Sequence, residues 1–210
     1  MVMARVAAAP GAPGSGLRMG EWETKRMDRD AAAKAIDAFL RALDRDPGGE
    51  PELIGTADRV ARAFVDELMS GYAADIDGLL AHSIISGRSD VVIVRDVPVA
   101  TMCPHHLMPS AGYAVVAFAP REMLVGFGAI SRVVAAYSKR LALQEQIGQN
   151  VVQAIDRHLA PRWVACRIVL THSCMRTSGG ANHEGPVETL ALIGPDQERC
   201  SAYAAVGLGR

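Results

Sequence analysis

The sequence predicts an α+β protein in which an antiparallel sheet is backed by helices. Three observations carry that expectation. In the first third of the chain, apolar residues recur at helical spacing, as in Ala33, Ile36, Phe39, Leu40 and Leu43. The pattern then changes to short-period runs rich in Val and Ala, over 90–102 and 112–119, punctuated by Pro98, Pro109 and Pro120. The resulting order of helix, helix, strand, strand, helix, helix, strand, strand suggests the antiparallel arrangement.

Taken in order, Asp28-Arg29-Asp30 leads into a helix over 31–43, which Gly48-Gly49 stops. A second helix follows the cap candidate Thr56, carries Val60, Phe64, Val65 and Leu68 on one face, and ends near Gly71. After the two strand runs come helices over 129–140 and 143–159. A strand over 163–171 leads straight into His172, and a last strand covers 187–193. Residues 1–22, rich in Ala, Gly and Pro, read as a flexible tail. Pro10, Gly11, Pro13 and Gly14 interrupt any signal-peptide apolar run there. The expected organisation is therefore a tail (1–22), an N-terminal helical region (23–85) and a sheet-bearing domain (86–210).

With 210 residues, half of them hydrophobic, the chain can bury roughly 70% of its unfolded surface. A formal net charge of −1 provides no general field for nucleic acid or an anionic membrane. No apolar run reaches the ~20 residues of a membrane span. The four cysteines, Cys103, Cys166, Cys174 and Cys200, lack the dense spacing of a disulfide scaffold, so a reducing cytoplasm is the expected location.

Chemistry concentrates in two short segments, Cys103-Pro104-His105-His106 and His172-Ser173-Cys174. Two thiolates and an imidazole, Cys103, His106 and Cys174, form the kind of three-ligand set that holds zinc with a fourth position open, leaving His105 and His172 to move protons. Structural zinc sites normally show four ligands in close pairs, so three favour catalysis. The plainer reading makes the cysteines buried apolar thiols and the histidines core hydrogen-bonders.

Further ordered segments carry a resemblance. Thr56-Ala-Asp-Arg-Val60, Phe64-Val-Asp-Glu-Leu68 with Ser70-Gly71, Cys103-Pro-His-His106, Val125-Gly126, Ile130-Ser-Arg-Val-Val134, Gln144-Glu145 and His172-Ser-Cys174-Met175 are similar to the GTP cyclohydrolase I family, over about residues 30–200. The resemblance implies a tunnelling fold for 86–210: a four-stranded antiparallel sheet with helices on one face, whose subunits join into pentameric rings that stack as homodecamers. Ring closure would also remove the unpaired edges of a Val-rich sheet.

By the same resemblance, Cys103, His106 and Cys174 ligate Zn2+, and His105 and His172 are the catalytic proton carriers. Glu145 recognises guanine by bidentate contact, with Gln144 and the backbone of Val125 to Phe127 completing the base pocket. Without the resemblance, Glu145 reads as a solvated helix charge. The implied reaction opens the imidazole ring of GTP at C8, releases formate, and recloses the ring as 7,8-dihydroneopterin triphosphate.

The departures bear on the triphosphate. Where the family usually reads Ser-Lys-x-x-Arg, this chain has Gly128-Ala129-Ile130-Ser131-Arg132, and Ser178 stands where a second phosphate-binding Arg is usual. Arg132 remains, with Arg176 and Arg59 as candidate substitutes. Each lost charge-assisted bond is worth about 1.5–3 kcal/mol. Gly128 also supplies no hydroxyl for the ribose rearrangement. Pro104 replaces a usual Glu. The run Gly179-Gly-Ala-Asn-His183-Glu184-Gly reads as a flexible loop or as an anion cradle. Three readings stay open: a GTP cyclohydrolase I with a rebuilt phosphate clamp; a zinc hydrolase of the same fold acting on a different or less phosphorylated purine, without reclosure; and a catalytically silent ring that binds a pterin or a partner.

Overall fold

The computed structural model describes residues 27–177 and 185–208. The expected tail, 1–22, lies outside them. Asp28 caps the first helix, α1 (Arg29–Ala42), by accepting from the Ala31 N–H at 2.9 Å. The expected cap of the second helix moves by one residue. Gly55, at φ 73°, takes the N-cap of α2 (Thr56–Arg62), a left-handed conformation that glycine adopts without Cβ strain. Thr56 is the first helical residue, and its hydroxyl accepts from Arg59. The chain then widens to a π-helical segment (Ala63–Leu68) and tightens to a 3-10 turn (Ser70–Ala73).

Next come short elements that sequence periodicity does not resolve, α3 (Ile76–Ala81) and β1 (Ile84–Ser86). The main sheet contains β2 (Val92–Met102), β3 (Pro109–Ala119), β5 (Trp163–His172) and β6 (Val187–Ile193), all antiparallel in the order β2-β3-β5-β6. Between β3 and β5 come β4 (Met123–Val125), which pairs with β1, and the helices α4 (Phe127–Ser138) and α5 (Gln144–Leu159). In β2 the inward valines change phase, from Val92 and Val94 to Val97 and Val99. A bulge absorbs the extra residue: the register shifts between Val94 and Val97, and Asp96 sits at φ 53°.

The main core lies between the sheet and α4/α5. Ala114, Val116 and Phe118 of β3 and Val164, Cys166, Ile168 and Leu170 of β5 meet Ile130, Val133 and Val134 of α4 and Ile147, Val151 and Ile155 of α5. Ile76 and Leu80 of α3 join the same cluster, so the helical region shares its core with the sheet. Burial pushes the Cys166 thiol up to about 12, which leaves it inert at neutral pH.

The two long helices occupy one face, as expected, but a short helix unread in the sequence, α7 (Arg199–Ala205), covers one end of the other face. There Ala117, Ala119, Trp163 and Ala165, alternate residues of the same strands, pack against Ala202, Ala205 and Val206. Arg167 and Arg95 donate to the carbonyls of Val206 (3.1 Å) and Ala205 (3.3 Å), placing cations at the negative end of α7. Arg167 also pairs with Glu188 at 2.8 Å and holds that carboxyl below its ordinary value.

A knot around Arg140 ties the sheet to the helices at the end where β2 finishes. Its guanidinium donates to the carbonyls of Gly71 (2.8 Å) and Ala136 (2.8 Å) and lies over the rings of Tyr72 and Tyr137. Its own carbonyl accepts from Thr101 at the end of β2, and Leu141 bridges Met102. The turn therefore locks the C-terminal end of β2 against the N-terminal end of α5. Arg140→Ala is expected to destabilise the fold by about 2–3 kcal/mol, read from urea unfolding, because two charge-assisted bonds to half-buried carbonyls are lost.

Candidate metal and active site

The two ligand segments meet at one end of the β3–β5 pair. β2 runs directly into Cys103, and a tight loop returns to Pro109 at the start of β3. Within it Leu107 N–H donates to Cys103 O and Cys103 N–H to Met108 O, both at 2.9 Å. Leu107 sits at φ 52°, a left-handed conformation that costs a residue with a Cβ about 1–2 kcal/mol. The turn is tight enough to aim Cys103 and His106 at the same point.

The third ligand comes from the neighbouring strand. β5 ends at His172 and breaks at once into the short helix α6 (Ser173–Thr177), which swings Cys174 towards the loop. Thr177, whose hydroxyl donates to Ser173 O, lies 3.3 Å from the Met108 sulfur and joins the two segments.

The ligand atoms of Cys103, His106 and Cys174 all lie within 4.8 Å of one another, and Cys103 Sγ is 3.6 Å from His106 Nδ1. A tetrahedral ion with a Zn–S bond of about 2.3 Å and a Zn–N bond of about 2.0–2.1 Å sets two such ligands roughly 3.6 Å apart, so the Cys103–His106 spacing suits a zinc-sized ion. Burial first, then the adjacent Cys103 thiol, push the Cys174 thiol up. The two sulfurs face each other at a spacing that suits ligands around a cation.

His172 lies beside this cluster with both ring nitrogens engaged. Nδ1 is 2.8 Å from Ser110 Oγ, its cross-strand partner on β3, and Nε2 is 2.8 Å from Gln144 Oε1 at the start of α5. Gln144 is 3% exposed, and its Nε2 donates to Ile168 O (2.9 Å) and Val187 O (3.0 Å). The resemblance implies that Gln144 completes a base pocket; in this structure its NH2 is engaged by β5 and β6, and its Oε1 faces His172. Ser110 lies outside the strand that the sequence predicts, 112–119, whereas β3 starts at Pro109. Extending the alternation of Ala114, Val116 and Phe118 by two steps places a polar residue on the buried face, and Ser110 is indeed 2% exposed.

The remaining candidates occupy a range of positions. His105 is exposed, its ring 6.1 Å from that of His106 and nearly perpendicular to it. Glu145 is exposed in the first turn of α5. Val125 is 3% exposed and its side chain belongs to the core, whereas Phe127, at the start of α4, is 68% exposed. Arg132 on α4 and Arg176 on α6 are both exposed, neither with an ion pair or side-chain hydrogen bond among the described residues. Arg59 differs from the expectation of a spare cation: it donates to Ile54 O and Thr56 Oγ1, bracing the start of its own helix. Ala129 is 1% exposed and packs in the main core, while a Cβ on Gly128 would meet open space. Ser178, His183 and Glu184 lie outside the described residues.

Among the described residues no helix is long and apolar enough to cross a membrane. The GTP cyclohydrolase I family model matches residues 32–205. A GTP cyclohydrolase 1 of Allorhizobium ampelinum is 35% identical over 159 residues, covering 75% of this chain and 78% of the relative. Relatives of the same name from Leptospira biflexa (35% identity; 76% and 86% covered) and Pelagibacter ubique (35%; 82% and 85%) agree. Similarity of this extent, spanning the helical region, the sheet and both ligand segments, places the chain in the GTP cyclohydrolase I family, and it is an enzyme of that hydrolase kind.

Proposed function

We propose that the protein is a zinc-dependent hydrolase that opens the guanine imidazole ring of GTP at C8, releases formate and forms 7,8-dihydroneopterin triphosphate. The observation that carries this reading is the convergence of Cys103, His106 and Cys174, from two distant segments, with their ligand atoms within 4.8 Å of one another. Zinc held there supplies Lewis acidity that makes water nucleophilic near neutral pH.

The surrounding residues divide the remaining work. His172, held by Ser110 and Gln144, and the exposed His105 exchange protons with the opening ring, imidazole being suited to both directions with an unperturbed pKa of about 6.5. Glu145 offers two acceptor oxygens to N1–H and the exocyclic amine of guanine, and its exposure leaves them available. Arg132 and Arg176, without protein partners among the described residues, are free to hold phosphate oxygens. In this reading the outer edges of β2 and β6 pair between subunits of a homo-oligomeric ring.

A second reading is favoured by the position after Gly128. Ala129 is sealed in the core, so no cation from that position reaches a triphosphate, which points to a less phosphorylated purine. Incubating zinc-loaded protein with GTP, GMP and guanosine separates the two. Formate with neopterin fluorescence from GTP alone supports the first; turnover of only the poorer phosphates, or formate without fluorescence, supports the second. No product from any of the three overturns both.

A further inference from the structure

For a neutral ring, the hydrogen-bond pattern around His172 fixes which nitrogen carries the hydrogen. Carbonyl oxygens only accept, so the Gln144 amide must turn its NH2 towards Ile168 O and Val187 O. Its Oε1, which only accepts, then faces His172 Nε2 at 2.8 Å, and that nitrogen must carry the ring hydrogen. In the neutral ring Nδ1 is left as an acceptor, 2.8 Å from the Ser110 hydroxyl, whose hydrogen rotates to meet it. Ser110 is almost fully buried, so no bulk water competes for that bond.

We propose that Ser110 is a positioning residue for the hydrolytic site: by donating to Nδ1 while Gln144 accepts from Nε2–H, it holds His172 in one tautomer and one ring orientation beside Cys174. Without Ser110 the imidazole is pinned at one nitrogen only and can swing about its bond to Cβ. With it, the ring is clamped between α5 and β3. The placement of the clamp is economical in sequence terms: Ser110 and His172 are directly opposed across the β3–β5 register, and Cys174 follows two residues on. The catalytic weight of the clamp rests on the proton-carrying role proposed for His172, whereas the tautomer does not.

The test uses the full zinc-loaded chain labelled with nitrogen-15 histidine, as wild type, Ser110→Ala and Ser110→Thr, with metal content and thermal melting checking that each is folded. In the wild type, the nitrogen spectrum is expected to show hydrogen on Nε2 of His172 and a hydrogen-bonded, unprotonated Nδ1. Ser110→Ala moves the Nδ1 signal to that of an unbonded ring nitrogen, and Ser110→Thr, which keeps the hydroxyl, returns it. With GTP, Ser110→Ala lowers kcat by about 10- to 100-fold, the range for loss of a group that orients an active-site ligand, with KM nearly unchanged; threonine recovers most of the loss. Hydrogen on Nδ1 in the wild type, or an Nδ1 signal indifferent to Ser110→Ala, overturns the proposal. A shifted signal with unchanged kcat removes its catalytic part. If the wild type turns over no GTP, the function reading fails, and the nitrogen spectrum still decides the clamp.

Discussion

Cys103→Ala is expected to strip the metal from the protein and reduce hydrolysis by at least on the order of a thousandfold. Two ligands remain, His106 in the same loop and Cys174 at the end of β5, and two donors do not retain zinc against a chelator. If zinc is held there as proposed, losing the ion returns the attacking water to its far higher bulk pKa, which removes most of the hydroxide available at neutral pH. Metal content by atomic emission and formate release, measured on the same samples, should fall together. Cys174→Ala should match it, while Cys200→Ser, an exposed thiol on α7, should change neither. Metal retained at full occupancy in Cys103→Ala would move the ligand assignment elsewhere.

Gly112→Ala is expected to cost about 3 kcal/mol and to weaken metal retention with it. The ideal Cβ at this position would lie 2.0 Å from the carbonyl oxygen of Val169 and 3.0 Å from its carbon, both backbone atoms of the adjacent β5. A flexible side chain could yield, but a strand backbone held by pairing on both sides moves only with its neighbours, so the cost falls at the upper end of overpacking. Because Gly112 lies two residues from Ser110 and faces Leu170, the displaced segment is the one that carries His172. The measurement is paired: urea unfolding for the fold, and zinc dissociation into a coloured chelator for the site. A melt within about 0.5 kcal/mol of wild type would show that the strands part more easily than their register implies.

What the sequence discloses and what it hides divide along physical lines. The proposed metal ligands and the long elements are legible because their chemistry or periodicity is local: Cys103, His106 and Cys174 are nitrogen and sulfur donors in unusual density, and β6 and α5 announce themselves by their repeat. The clamp on His172 is not local. Gln144 reads as a polar residue starting a helix, and only the folded chain shows its amide satisfied by two strands at once. β1 and β4 are three residues each, too short for alternation to register, and α7 is a few residues of mostly small side chains. The cap of α2 shows a different failure. Thr56 is a good cap by type, but Gly55 meets the backbone demand and frees the Thr56 hydroxyl for Arg59.

If Cys103, His106 and Cys174 hold the metal as proposed, their distribution along the chain also sets an order of events during synthesis. Cys103 and His106 leave the ribosome together and can hold an ion only as a two-donor chelate, from which it exchanges rapidly. Cys174 is made after α4, α5 and β5, and it reaches the loop only when β5 has zipped onto β3. A tightly kept ion is thus the signature of a completed sheet.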